Sequence, residues 1–282
     1  MKNQRTQALL PLPLLLSLSV WLPLLFLAGG SLMSVLELTG HLSPVLDNGL
    51  GYATWRLLPL YPTISPYIEL LLDTPAFFVL FWNSVGLTLA VLLGQLSVSV
   101  PAAWWFARSR SRLSRGLFYL YIVLMIMPFQ VTMASSYLVL DRLQLLDTLW
   151  SIILPAGFST FPVFIIYRFF RDIPPSVVEA AEMDGAGGLQ VFLYIGVPMG
   201  KSGIASAMVL GFLEYWNLIE QPMTFLKTKS LWPLSLFLPQ ITAGKAGLAL
   251  AASVITLLPP LLVFLLGQSY LEQGIVSSSV KE

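Results

Sequence analysis

The sequence predicts an all-α polytopic membrane protein of about six transmembrane helices, with its N- and C-termini in the cytoplasm. Three observations carry that expectation. Of 282 residues, 56% are hydrophobic and only 10% charged, at a mean hydropathy of +0.80. An average soluble domain is about a quarter charged, so too little polar surface exists here to solvate a globule. Charge-free windows of at least 20 residues then recur at 6–36, 74–107, 116–140, 148–167 and 246–271. Each is long enough to cross a hydrocarbon core, which takes about 20 apolar residues. Lastly, the 15 Lys and Arg residues are unevenly shared between the two sides of such a chain.

The same composition excludes other classes. A net charge of +1 leaves no basic excess for nucleic acid, so no nucleic-acid partner is expected. With zero cysteines there is no disulfide framework and no thiolate metal site.

The first window, 6–36, follows Lys2 and Arg5 and could be a signal peptide ending near Ala28-Gly29-Gly30-Ser31. Its apolar run is longer than the 7–15 residues typical of a signal core, so a retained anchor is expected. Residues 30–75 then hold Gly, Pro, Asn, Asp, Tyr and the single histidine, His41, and read as an external loop with interfacial pieces. The second, third and fourth spans follow from the windows. A fifth, 202–226, is interrupted only by Glu214 and Glu220, and the sixth is 246–271. Residues 185–200 and 230–244 carry Gly and Pro between charges and stay outside the spans.

Orientation follows from the basic residues. A cytoplasmic N-terminus puts Lys2, Arg5, Arg108, Arg110, Arg112, Arg115, Arg168, Arg171, Lys201 and Lys281 inside. Arg56, Arg142, Lys227, Lys229 and Lys245 fall outside, and the Arg108–Arg115 cluster supplies most of the bias. Prolines 128, 155, 162, 222, 259 and 260 lie in or beside spans. Such prolines kink a membrane helix wherever neighbours satisfy the freed carbonyl. No repeat or linker divides the chain, so 1–282 is expected to be one membrane domain.

Catalytic motifs are missing: the sequence has no HExxH, no GxSxG and no grouping of His and carboxylates for a metal. The segment Gly196-Val197-Pro198-Met199-Gly200-Lys201-Ser202 resembles a phosphate loop, but Ile195 occupies the position of the first glycine. That loop would be one residue short, and a span follows it directly. The chain is therefore expected to be no enzyme, to bind no cofactor, and to draw energy from a partner or a gradient.

Between the fourth and fifth spans lies an ordered stretch, 172–200. Pro174 and Pro175 set a helix start, and Ser176 with Glu179 has the spacing of a capping box. A helix over 177–184 stopping at Gly185, then a second segment over 189–197 leading to Pro198, would make a rigid helical hairpin at the membrane face.

These residues carry a specific resemblance. Glu179-Ala180-Ala181, three residues, Gly185, nine residues, Ile195, one residue, then Val197-Pro198 is similar to the EAA loop of permease subunits of binding-protein-dependent ABC importers. Only Val197 departs from that pattern, which has Leu there, and Asp184-Gly185-Ala186 also resembles it. From about Phe81 onward the chain resembles sugar-uptake permeases, in particular the maltose-transporter G-type subunit family. Asn83-Ser84, the stretch 145–155, Trp216-Asn217 and the end 268–282 carry that likeness. Residues 30–75 are longer and more aromatic than in such relatives, and 214–222 departs from their usual pattern.

The resemblance implies the type I ABC importer transmembrane-domain fold in a bacterial-type cytoplasmic membrane. Its implied partners are a second permease subunit, a dimer of cytoplasmic ATPase subunits that use ATP and Mg, an extracytoplasmic solute-binding protein and the lipid bilayer. Glu179 would be the charge contact to an ATPase, Ala180 and Ala181 would allow close approach, and Gly185, between Asp184 and Ala186, would make the turn. The tail 272–282 would reach toward the ATPase pair. A permease for a non-sugar solute, a secondary transporter or a channel are the alternatives. The last two give no reason for an EAA loop and would normally bring inverted repeats.

In the fifth span, Glu214, Asn217 and Gln221 are spaced by three and four, so a continuous helix would put them on one face, with Glu220 at its outer end. A carboxylate there costs about 2.5–3.5 kcal/mol on insertion scales, so it faces a cavity or a partner rather than lipid. The expected translocation pathway is thus Glu214, Trp216, Asn217, Glu220 and Gln221, with pairing of Glu214 to the sister permease the other reading.

The basic asymmetry is checked by labelling Arg112→Cys in this cysteine-free chain. An impermeant thiol reagent is expected to reach position 112 only after the membrane is opened; labelling from outside intact cells would reverse the topology.

Overall fold

The computed structural model describes residues 11–46, 49, 51–54, 56–237 and 243–279, with side chains from 17 to 272. Lys2, Arg5, Lys281 and the last residues of the expected tail lie outside the described residues. No β-strand occurs among the described residues. The helices are α1 (Pro11–Ser31), α2 (Val35–Leu46), α3 (Ser65–Ile68, continued by a π turn Glu69–Asp73), α4 (Pro75–Arg108), α5 (Arg112–Ile126), α6 (Phe129–Arg142), α7 (Trp150–Gly157), α8 (Thr160–Arg171), α9 (Pro175–Met183), α10 (Gly188–Met199), α11 (Lys201–Trp216), α12 (Glu220–Phe225) and α13 (Ala246–Ser279).

Among the described residues, three stretches are long and apolar enough to cross a membrane: Pro75–Arg108, Trp150–Arg171 and Ala246–Glu272. Two further crossings arise if each bent pair counts as one: α5 with α6, bent by 103°, and α10 with α11, bent by 68°. The predicted window 116–140 is therefore broken rather than straight; the 68° bend lies at Gly200, just ahead of the window 202–226, which is itself interrupted at 217–219 between α11 and α12. The first break is at Pro128, which lacks an N–H and disfavours the α region at Met127, whose ψ is 121°.

The backbone groups freed at the breaks have partners. At Met127, the N–H donates to the Leu124 carbonyl. The Gln95 side-chain amide donates to the Ala156 carbonyl at 3.0 Å, where α7 gives way to α8. Asn217 folds back to donate to the Leu213 carbonyl at 2.8 Å, and the Ser235 hydroxyl donates to the Leu218 carbonyl. Unpaired, each such group would cost several kcal/mol in hydrocarbon.

Two compact units are present. The first, 1–78 with 237–259, contains the segment expected as an external loop, and that segment is largely helical. Leu38 on α2 is buried, Glu37 accepts from the Leu60 N–H at 2.9 Å, and the Ser31 and Tyr67 hydroxyls bond at 2.7 Å. The His41 ring bonds the Thr54 hydroxyl at an exposed position.

The second unit, 79–236 with 260–282, holds two buried clusters. Leu87, Val91, Leu140, Ile152, Tyr215 and Phe225 make one. Val100, Phe106, Val163, Ile166, Phe170 and Ala207 make the other. α4 runs through both, which ties the surroundings of the hairpin at 172–200 to the region of the breaks. Gly94 on α4 and Gly157 on α7 cross so closely that a Cβ on Gly94 would stand 3.3 Å from the Gly157 Cα.

A clasp fixes the chain after α12. The Asp147 carboxylate accepts from the Thr228 hydroxyl at 2.6 Å and from the Lys227 and Thr228 N–H groups at 2.8 Å each. The Thr228 hydroxyl foremost, then its N–H, hold this carboxyl below the ordinary carboxylate range. A lowered acid contributes above its unfolded value, so the clasp is intact at neutral pH and fails as the pH falls through that lowered value. Asp147→Ala is expected to speed tryptic cleavage after Lys227 in the membrane-embedded protein; an unchanged rate would show that the clasp does not order this segment.

Candidate functional site

The hairpin at 172–200 begins where α8 ends. Pro174 is the N-cap of α9, with no side-chain capping bond, and Pro175 occupies the first turn. This corrects the expected cap at Ser176: proline has no N–H to satisfy and its fixed φ already suits a first helical residue, so α9 starts before the serine. Its far end follows the Schellman pattern. The Ala186 N–H donates to the Ala181 carbonyl at 2.9 Å and the Gly185 N–H to the Glu182 carbonyl at 3.0 Å, with Gly185 at φ +86°. Only glycine takes that conformation without strain, which is why the helix stops where the sequence indicated.

No residue of α9 is buried, and Glu179, Ala180, Glu182, Met183 and Asp184 stand exposed, with Ala181 and Ala186 half-buried. α10 differs from expectation. It starts at Gly188 and runs on through Pro198 to Met199, because a π turn at Phe192–Gly196 loosens the helix ahead of the proline.

Both ends of this hairpin hang on one part of α4. Before α9, the Arg108 guanidinium donates to the Phe170 and Ile173 carbonyls at 3.2 and 3.3 Å, capping the C-terminus of α8. The same guanidinium lies 4.8 Å over the Trp104 ring. After α9, Trp104 packs against Phe192, centroids 5.8 Å apart, and a Cβ on Gly196 would come within 2.7 Å of that indole. Arg108, Arg110, Arg171, Glu179 and Glu182 line a cavity of about 410 Å³ between these elements.

The second place is a cavity of about 530 Å³. It is lined at three interruptions of the helices: Met127 and Phe129 at the first, Phe158 and Ser159 at the second, Leu218 at the third. Glu214 and Gln221 both line it, as the spacing led one to expect. Trp216, Asn217 and Glu220 do not join them. Asn217 is spent on the end of α11. Trp216 is 2% exposed and packs on Phe81 and Phe212. Glu220 accepts from the Gln130 side-chain amide at 2.6 Å.

Thr132, Ser136 and Thr160 also line the cavity, and sequence reasoning did not single them out. Pro128 was the available signal, since a proline inside an apolar window places a break and its neighbours. Arg108 gave no such signal for its role, because its carbonyl partners lie 62 and 65 positions away.

Arg108→Ala is expected to destabilise the protein by about 2 kcal/mol, as loss of a charged hydrogen-bond donor at a helix end does. The midpoint of SDS-induced unfolding reads this; Arg108→Lys should recover only part, since an ammonium keeps the charge and not the planar group whose Nη2 reaches both carbonyls while it lies over Trp104. An unchanged midpoint for Arg108→Ala would remove the cap from the account.

The description "Binding-protein-dependent transport system inner membrane component" belongs to a family model that matches residues 99–277. The glycerol-3-phosphate transport system permease protein UgpE of Pectobacterium atrosepticum is 28% identical over 211 residues, 73% of this chain and 75% of that protein. Protein LplC of Bacillus subtilis is 28% identical over 277 residues, 92% of this chain and 89% of its own. The lactose transport system permease protein LacG of Rhizobium radiobacter is 29% identical, covering 71% of this chain and 74% of that protein. Among solved structures, a chain of a bacterial ABC transporter involved in the import of the acidic polysaccharide alginate has a TM-score of 0.79 at 22% identity, covering 96% of this chain and 98% of its own. A second structure, of the alginate transporter with an alginate pentasaccharide-bound periplasmic protein, gives 0.61 at 15% identity, with 94% of each chain covered. The fold is thus that of an ABC importer's membrane subunit, and with nearly two-thirds of its length matched, the chain belongs to the family of binding-protein-dependent transport system inner membrane components.

Proposed function

We propose that this chain is the permease subunit of an ATP-driven carbohydrate uptake system in a bacterial cytoplasmic membrane. It forms the translocation path with a second permease subunit and is served by an extracytoplasmic solute-binding protein. ATP and Mg are used by a pair of cytoplasmic ATPase subunits, and both termini and the Arg108–Arg115 cluster face the same side as those subunits. The observation that carries this is the hairpin at 172–200: a short helix with no buried residue and Glu179 exposed, terminated by Gly185 and tied at both ends to α4.

A rigid helix of this kind transmits displacement. Glu179 offers a charge to a cation in an ATPase groove, and Ala180 and Ala181 let the two surfaces approach. Closure of the ATPases would then move α4 with the hairpin and rock the membrane halves between inward and outward access. The end of α13 reaches toward the same partners. Glu214 and Gln221 form the path at the breaks of the helices, where non-helical backbone in a membrane finds water or solute. Carbohydrate is favoured by the lactose and alginate systems among the similar proteins.

Glu179→Lys reverses the contact charge, and Gly185→Val forces a β-branched residue into positive φ at a cost of about 1–3 kcal/mol. Each is expected to abolish ATP-driven uptake by the assembled transporter in proteoliposomes while the chain still inserts. Uptake near the wild-type rate by both variants would refute the coupling role.

A further inference from the structure

We infer that the cavity at the helix breaks takes solutes that bring hydrogen-bond donors and are neutral or positively charged, and that it disfavours anionic ones. The inference rests on the pathway reading proposed above. It would set this chain apart from the similar systems named for a phosphate ester and an acidic polysaccharide.

The charge of the lining comes first. Glu214 supplies a carboxylate, and none of the described residues lining the cavity is Lys, Arg or His. An anion entering it meets a like charge with no compensating cation from this chain, in surroundings less polar than water. A cation, or a neutral solute, meets no such barrier.

Three of the lining's hydrogen-bonding groups point the same way, beside the hydroxyls that Ser136, Ser159, Thr160 and Tyr215 also bring. The Thr132 hydroxyl donates to the Phe129 carbonyl at 3.1 Å, and the Ser151 hydroxyl donates to the Thr148 carbonyl at 2.7 Å. Their hydrogens are spent, and what these groups still offer is lone pairs. Gln221 adds a buried Oε1 that has no hydrogen-bond partner. A buried acceptor left unmade is costly, so the site favours a ligand whose hydroxyl or ammonium groups donate to it. Phe129 and Phe158 supply apolar faces alongside, suited to the C–H faces of a sugar ring. The chemical class is therefore a neutral or aminated polyhydroxy compound, not a phosphorylated one or a uronate.

The test uses the full transporter in proteoliposomes with Gln221→Cys in this otherwise cysteine-free chain. Two methanethiosulfonate reagents of similar size are compared, one bearing a trimethylammonium group and one a sulfonate, with modification read from the mass of this chain. The cationic reagent is expected to react at least about fivefold faster, and Glu214→Gln in the same background is expected to bring the ratio close to one. A ratio of one or below, or a ratio that Glu214→Gln leaves unchanged, overturns the charge preference. Ser136→Cys, on another wall of the cavity, serves in the same way should the first variant not assemble. Failure of both reagents to modify either position means that the cavity is closed to aqueous solutes; that result overturns the pathway reading itself, and the selectivity with it.

Discussion

Inside a hydrocarbon layer every backbone N–H and C=O must find a partner within the protein or in trapped water, and the second unit is organised around that constraint. Long apolar helices meet it by themselves. The interruptions at 127–128, 158–159 and 217–219 do not: the first is closed locally by the Met127 N–H on the Leu124 carbonyl, and the other two are serviced from elsewhere in the sequence. Gln95 reaches the Ala156 carbonyl across 61 positions, and Ser235 reaches that of Leu218 across 17. That three interruptions line one cavity is the physical reason to place the path there, because broken helices are tolerated where they border a cavity.

The other end of the unit is built for stiffness. α9 is too short and too exposed to be held by its own burial, so its position depends on what grips its ends. Trp104 and Arg108 lie one turn apart on α4 and grip both: the guanidinium holds the carbonyls before α9, the indole holds the π turn after it. Because α4 also passes through the buried cluster beside the cavity, displacement of the hairpin has a continuous, close-packed route toward the breaks.

What the sequence made legible was local. Charge-free windows located the apolar helices, and Gly185 located the end of α9, since a positive φ at that point has few alternatives. What it concealed depended on contacts far apart in the chain or on competition within a helix. Spacing alone put Asn217 on a face with Glu214 and Gln221, but Asn217 serves better as a cap on α11, and the helix breaks around it. Trp216, a ring of a kind that stacks on sugars, is instead packing for Phe81 and Phe212. Ser176 lost the N-cap to a pair of prolines whose fixed φ costs nothing at a helix start. The segment 30–75, which composition marked as loop, gains its helices from packing such as the burial of Leu38, which a window of polar and apolar residues does not reveal.

The central claim is that the three breaks border an aqueous path rather than a dry core. Hydrogen exchange by mass spectrometry on the assembled transporter in nanodiscs tests it most directly. Amides flanking 127–128, 158–159 and 217–219 are expected to exchange at least about a hundredfold faster than those in the middle of α4, and to do so differently when the ATPases are held closed. Protection at the breaks equal to that of α4, in both states, would contradict the account.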